Sequence, residues 1–174
     1  MRLNTIGRCI VIFFAYFGGA IPGLLIPAII GISIFIFGLP LLLVSPFTSL
    51  ASGICSAEPI ARMPANRWSD ALAIVWGACW LIGGAMLSKN VIWSTISEWS
   101  AADSYTREAG VHSSALCIGL WTMHLGAAWN GIRYWEQRGV QAAPGLHYFF
   151  GALPGIVLWA LFAGAYQWGL SRAR

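Results

Sequence analysis

The sequence predicts an all-α integral membrane protein, built as a polytopic bundle of four to five transmembrane helices in one domain. Of its 174 residues, 58% are hydrophobic and only 9% are charged, whereas soluble domains carry about 25% charged residues. Residues 9–44 contain no Asp, Glu, Lys, Arg or His, and about 20 apolar residues suffice to cross a bilayer as a helix. Because the apolar runs are continuous rather than alternating, the pattern argues against a membrane β-barrel.

The first apolar stretch is too long for one crossing. A straight helix over residues 9–44 would be about 54 Å long, whereas the hydrocarbon core is about 30 Å thick. Glycines and prolines, which loosen or interrupt helices, are concentrated between Gly18 and Pro27. We therefore predict an N-terminal helical hairpin that turns within this stretch, with apolar segments at about 6–22 and 24–44.

Residues 1–20 also fit a secretory signal peptide, with two arginines, an apolar run and a small-residue end. The apolar run continues without a break to residue 44, however, which favours a retained first helix over a cleaved one.

Later in the chain, three apolar segments are expected to cross the membrane, at about 71–88, 113–132 and 148–170. The proline-rich residues 45–70 between the hairpin and the first of these predict an irregular polar connection, with Asp70 or Ser69 as the helix cap. In the next connection Ile92, Ile96 and Trp99 recur at helical spacing, which predicts an amphipathic helix over about 91–103 in the membrane interface.

Orientation follows from the hairpin. With the hairpin in place, six basic residues near the ends of apolar segments fall on the side of the N-terminus and four on the other. A single kinked first crossing gives a similar split, so helix length rather than charge favours the hairpin. The expected arrangement has a cytoplasmic N-terminus and an external C-terminus, in a bacterial inner membrane.

His124 is the sharpest candidate for a functional residue, because ionisable groups at membrane depth are uncommon and often functional. Its nearest polar neighbours within predicted spans are Asn130 and Gln167, and together they form a candidate intramembrane polar site. The alternative is a structural role, in which a neutral His124 hydrogen-bonds a carbonyl or hydroxyl group of a neighbouring helix.

Pairs of small residues four apart form a second pattern, which lets helix backbones approach closely in a membrane. The candidate helix-packing residues are Gly19, Gly23, Ala127, Gly131, Gly151, Gly155, Ala160 and Gly164. Packing within the bundle is favoured over packing against another subunit.

Motifs for chemistry are absent from the sequence. It has no nucleotide-binding loop, no metal-binding spacing, no CxxC pair and no catalytic signature, so we expect no cofactor and no catalytic residues. The scattered basic residues do not suggest nucleic-acid binding. The ten tryptophans leave an aromatic cage for a cation open, although no acid is clearly placed at membrane depth beside them.

The function expected from these observations is that of a non-enzymatic membrane subunit or assembly factor, in a bacterial complex of the secretion or transfer type. Its expected partners are the lipid bilayer and other membrane subunits or further copies of the chain. A small oligomeric transporter or channel with a path through His124, Asn130 and Gln167 is the first alternative. A membrane-embedded lipid-modifying enzyme that uses residues 133–147 is the second.

Overall fold

The computed structural model describes residues 5–33, 38–63, 66–137 and 144–172, which form five helices and no strand. In order, the helices are α1 (Thr5–Ser33), α2 (Gly38–Arg62), α3 (Arg67–Ser97), α4 (Ser104–Glu136) and α5 (Pro144–Arg172). The all-α prediction is confirmed.

Three of the helices are long and apolar enough to cross a membrane: Thr5–Ile30 in α1, Arg67–Ser97, and Gly145–Ala165 in α5. Helices α2 and α4, which overlap the other two predicted spans, fall short of this criterion within the described residues. Both contribute polar side chains to the interior of the bundle, including Ser49 and His124. A fourth and a fifth crossing therefore remain a prediction.

Helices α1 and α2 pack antiparallel over most of their length, as the predicted hairpin requires. Gly23 lies beside Thr48, and Tyr16 lies beside Gly53, so positions later in α1 meet positions earlier in α2. The predicted place of the turn is wrong, because α1 continues as a helix through Pro22 and Pro27 to Ser33.

Carbonyl groups that the two prolines leave without a helical donor find donors on other helices. A proline lacks the N–H that would bond the carbonyl four residues earlier. For Pro22 that carbonyl belongs to Gly18, and it accepts a 2.6 Å hydrogen bond from Trp76 Nε1. For Pro27 it belongs to Gly23, and Thr48 Oγ1 donates to it at 2.5 Å. Neighbouring side chains thus allow the helix to pass both prolines.

Residues 45–62 form the body of α2 and not the irregular connection that the sequence predicts. The serines at 45, 49, 52 and 56 recur at intervals of four, three and four, which places them on one helix face. Ser49 and Ser52 donate hydrogen bonds to the carbonyls of Ala20 and Gly19 in α1. This polar face packs against α1, and the bonds that Ser49 and Ser52 donate to α1 replace hydrogen bonds to water.

The predicted separate interfacial helix is also wrong. Residues up to Ser97 continue α3 without a break, and a turn over residues 98–103 leads into α4. Asp103 caps α4, because its Oδ1 accepts a 2.7 Å hydrogen bond from the N–H of Thr106. The carboxylate of Asp103 accepts hydrogen bonds from Thr106, and these lower its pKa. The bond from the Thr106 side chain has the larger effect and the bond from the backbone N–H the smaller.

Five helix termini lie together at one end of the bundle. They are the start of α1, the end of α2, the start of α3, the end of α4 and the start of α5. Arg8 Nη2 donates to the carbonyl of Met63 at 2.6 Å, and Cys9 Sγ lies 4.0 Å from Glu136 Oε1. The rings of Tyr134 and His147 lie 4.6 Å apart. We call this end of the bundle the Arg8 end. Successive helices therefore run in alternating directions.

Candidate functional site

His124 lies at the meeting point of α1, α2 and α4. Its Nδ1 is 3.2 Å from the hydroxyl oxygen of Tyr16, and its Nε2 is 3.0 Å from Ser49 Oγ. Tyr16 and Ser49 are completely buried, and His124 is 7% exposed. The imidazole thus connects one hydroxyl from each of the first two helices.

The direction of each hydrogen bond follows from the hydroxyl of Ser49, which has one proton to donate. Ser49 Oγ donates to the carbonyl of Ala20 at 2.6 Å, so it accepts from the Nε2–H of His124. Nδ1 is then the unprotonated nitrogen, and it accepts from Tyr16. The chain runs from Tyr16 through His124 and Ser49 to Ala20, and a neutral imidazole satisfies every polar atom in it.

Aromatic rings enclose this hydrogen-bonded chain. Tyr148 stacks on Tyr16 with ring centroids 5.2 Å apart and planes 9° from parallel. The ring of Phe17 lies 6.1 Å from that of His124. Since a buried and fully satisfied polar chain favours one relative placement of its helices, this geometry suits positioning of α1, α2 and α4.

Of the two predicted polar partners of His124, Asn130 is not among the partners that the structure shows. Asn130, six residues further along α4, lies against Gly151 of α5, while the side chain of Gln167 lies outside the described part of the chain. Tyr16 and Ser49 were missed as partners. Because they lie 108 and 75 residues from His124 in sequence, only the tertiary fold reveals the pairing.

A second polar centre lies at the Arg8 end, where Arg8 and Asp70 form a buried ion pair. Arg8 is 6% exposed and Asp70 3% exposed. The same guanidinium donates to the carbonyls of Ile60 and Met63 at the end of α2. Arg8 thus satisfies helix-terminal carbonyls of α2 and also fixes the start of α3.

Asp70 therefore serves as the partner of Arg8 and not as the predicted helix cap. The cap of α3 is Asn66, whose side-chain oxygen accepts a 3.2 Å hydrogen bond from the N–H of Trp68. Asp70 lies in the first turn of α3, where a negative charge also interacts favourably with the helix dipole.

The predicted helix-packing residues divide into an inner and an outer group. The inner group packs between helices of the bundle and contains Gly19, Gly23, Ala127, Gly131, Gly151 and Gly155. Ala160 and Gly164 are exposed, and a Cβ atom on Gly164 would meet no atom of the described residues within 4 Å.

Gly126 is a packing residue that the sequence pattern missed. A Cβ atom on Gly126 would collide with the carbonyl group of Gly151, so α4 and α5 touch backbone to backbone there. The pattern requires a second small residue four positions later. Ala127 has one in Gly131, whereas Gly126 is followed at that spacing by Asn130, so the pattern selected Ala127 and not Gly126.

The turn proposed for a lipid-modifying enzyme is only partly described. Arg133 and Glu136 are exposed at the end of α4, and residues 138–143 lie outside the described ranges. Among the residues that the structure describes, no three His, Cys, Asp or Glu side chains are placed to hold a metal ion. Comparison of the chain with protein-family models, with curated proteins and with solved structures gives no match.

Proposed function

We propose that this chain is a non-enzymatic integral membrane subunit that joins a larger complex through the outer face of α5. The carrying observation is the exposed pair Ala160 and Gly164, which lie one helical turn apart, with no described residue close to the Cα hydrogens of Gly164. Small residues on a membrane helix allow a second helix to approach closely.

The outer face of α5 extends beyond this pair. Exposed residues recur at the helical spacing of one face, namely Leu153, Val157, Ala160, Leu161 and Gly164. Val157 and Leu161 are large and exposed, so this face carries bulky side chains beside the two small residues. A helix of a partner subunit is the occupant that this shape fits best.

The buried polar residues support a structural role. Each polar atom of the chain that joins Tyr16, His124 and Ser49 has a partner, and the chain is enclosed by aromatic rings. Such an arrangement favours fixed helix positions over a path for ions or solutes.

The proposed setting is a bacterial inner membrane with the Arg8 end in the cytoplasm, and a secretion or transfer apparatus is the proposed type of complex. Arg8, Arg62, Arg67 and Arg133 belong to helix termini at the Arg8 end, whereas Lys89, Arg107 and Arg172 belong to the opposite halves of α3, α4 and α5. An excess of basic residues on the cytoplasmic side is the usual pattern.

Photo-crosslinking in native membranes tests the proposal. A photoreactive amino acid replaces Leu161 on the outer face of α5, and the matched control carries it at Leu72, which is 69% exposed on α3. We expect the Leu161 probe to give a covalent adduct with another membrane protein, and Gly164→Leu in the same chain to reduce that adduct severalfold.

Three results would contradict the proposal. They are adducts with lipid alone, adducts whose mass is a multiple of the chain's own 18.8 kDa, and protein adducts that form equally from Leu72.

A further inference from the structure

A cavity of about 150 Å³ lies at the Arg8 end between α2, α4 and α5. Its lining residues are Glu58, Ala61, Arg62, Gly131, Tyr134, Trp135 and Tyr148. Three of these side chains are aromatic, and Glu58 is the acidic one. The sequence did not place an acidic residue beside aromatic ones at membrane depth. In the structure, Glu58 of α2 lies beside the aromatic residues of this cavity.

One carboxylate oxygen of Glu58 has no hydrogen-bond partner among the residues that the structure describes. Oε1 is buried and accepts no hydrogen bond from any described residue, while Oε2 lies 3.7 Å from Nη2 of Arg62. Arg62 has a side chain that is 68% exposed, so it sits at the mouth of the cavity. A buried acceptor without a donor is unfavourable by itself, and a bound donor would remove that penalty.

We propose that this cavity binds an organic ammonium group, with Glu58 as its counter-ion and the rings of Tyr134, Trp135 and Tyr148 as its walls. An ammonium group brings a positive charge and N–H or polarised C–H donors, which suit both a carboxylate oxygen and aromatic faces. A bare metal ion would instead require several oxygen ligands, and the cavity offers one carboxylate.

The position of the cavity allows two sources of the same group. It lies at the termini of α2, α4 and α5, where lipid headgroups and solutes both have access. An aminophospholipid would place its ammonium beside Glu58 and its phosphate near the exposed Arg62, whereas a free amine would need only the first contact. The ammonium site is independent of the proposed lateral contact through α5.

The test uses the full chain purified in detergent and in nanodiscs. The probes are ethanolamine and tetramethylammonium as chlorides, with potassium chloride at equal ionic strength as the reference, and nanodiscs of phosphatidylethanolamine or phosphatidylglycerol. Thermal midpoint shifts report the soluble probes, and native mass spectrometry counts retained lipid. The variant is Glu58→Gln, and the matched control is Glu98→Gln, an exposed acid at the opposite end of the bundle.

The wild-type chain should show saturable stabilisation by an ammonium salt, or selective retention of phosphatidylethanolamine, that potassium chloride and phosphatidylglycerol do not reproduce. Glu58→Gln should weaken that binding about tenfold or more, the value of a hydrogen bond to a charged group, and Glu98→Gln should leave it unchanged.

The probes separate the two sources. Response to soluble probes without lipid preference identifies a free amine, and retained phosphatidylethanolamine identifies a lipid headgroup. Equal responses to ammonium and potassium salts together with equal lipid retention would overturn the proposal. So would binding that Glu58→Gln leaves intact. The wild-type comparison gives this answer even if the variant does not fold.

Discussion

The indole Nε1 of Trp76 in α3 donates a 2.6 Å hydrogen bond to the carbonyl oxygen of Gly18 in α1. Pro22 deprives that same carbonyl of its donor within α1. Trp76 of α3 therefore supplies the hydrogen bond that Pro22 removes from α1. It also joins α3 to α1 beside Gly77, which lies close to the backbone of Phe14.

Replacing Trp76 by Phe should lower the stability of the bundle by about 1–2 kcal/mol, because the carbonyl of Gly18 would lose its donor. The measurement is the free energy of unfolding in a mild detergent. Trp80→Phe is the matched control, since Trp80 Nε1 is buried and has no partner among the described residues. That change should leave stability unchanged or raise it, and equal losses in both variants would contradict the role of Trp76.

The relation between Trp76 and Gly18 also explains why the sequence misplaced the turn. Pro22 and Pro27 predict a break when only the backbone of α1 is considered, but the donors that compensate for them are Trp76 and Thr48 on other helices. The total length of the first apolar stretch correctly demanded a reversal of direction. Its location depends on contacts between helices that the sequence alone does not reveal.

The spacing of the serines in α2 indicates a helix, although the prolines in the same segment suggested an irregular connection. Ser45, Ser49, Ser52 and Ser56 follow helical periodicity, yet Pro46 and Pro59 suggested an irregular segment. For His124, by contrast, the sequence identified a buried histidine but could not identify Tyr16 and Ser49 as its partners, because both lie on distant parts of the chain.

Removing either hydroxyl from the His124 chain should destabilise the protein. Tyr16→Phe leaves Nδ1 without a donor, and Ser49→Ala leaves Nε2–H without an acceptor, so we expect losses of about 1–3 kcal/mol each. Their effects should be non-additive by at least about 0.5 kcal/mol in a double-mutant cycle, because both act through one imidazole.

The control for that cycle is Ser94→Ala, which removes an exposed hydroxyl bonded within its own helix. It should change the free energy of unfolding by less than about 0.5 kcal/mol. Strict additivity of Tyr16→Phe and Ser49→Ala would mean that His124 does not couple the two helices.

The buried pair of Arg8 and Asp70 should respond asymmetrically to substitution. Arg8→Met leaves a buried carboxylate unpaired and also removes the donor from the carbonyls of Ile60 and Met63, so it should cost about 3–5 kcal/mol. Asp70→Asn should cost less, because an amide is neutral and can still accept from the guanidinium. Denaturant titration of the two variants measures the difference, and equal losses would contradict the role of Arg8 in satisfying the end of α2.

Gly126 is one of the glycines at the contact between α4 and α5 that should not tolerate a side chain, together with Gly151 and Gly155. A methyl group there would collide with the carbonyl of Gly151, so Gly126→Ala should separate the two helices and destabilise the protein by about 1–3 kcal/mol. Gly164→Ala adds the same methyl group where no atom of the described part of the chain lies within 4 Å. The better helix propensity of alanine should leave the free energy of unfolding equal or slightly higher. Thermal unfolding of the two purified variants separates these outcomes. If Gly164→Ala were instead the more damaging substitution, α5 would have to pack through its outer face, and the assignment of Gly126 as the internal contact would fail.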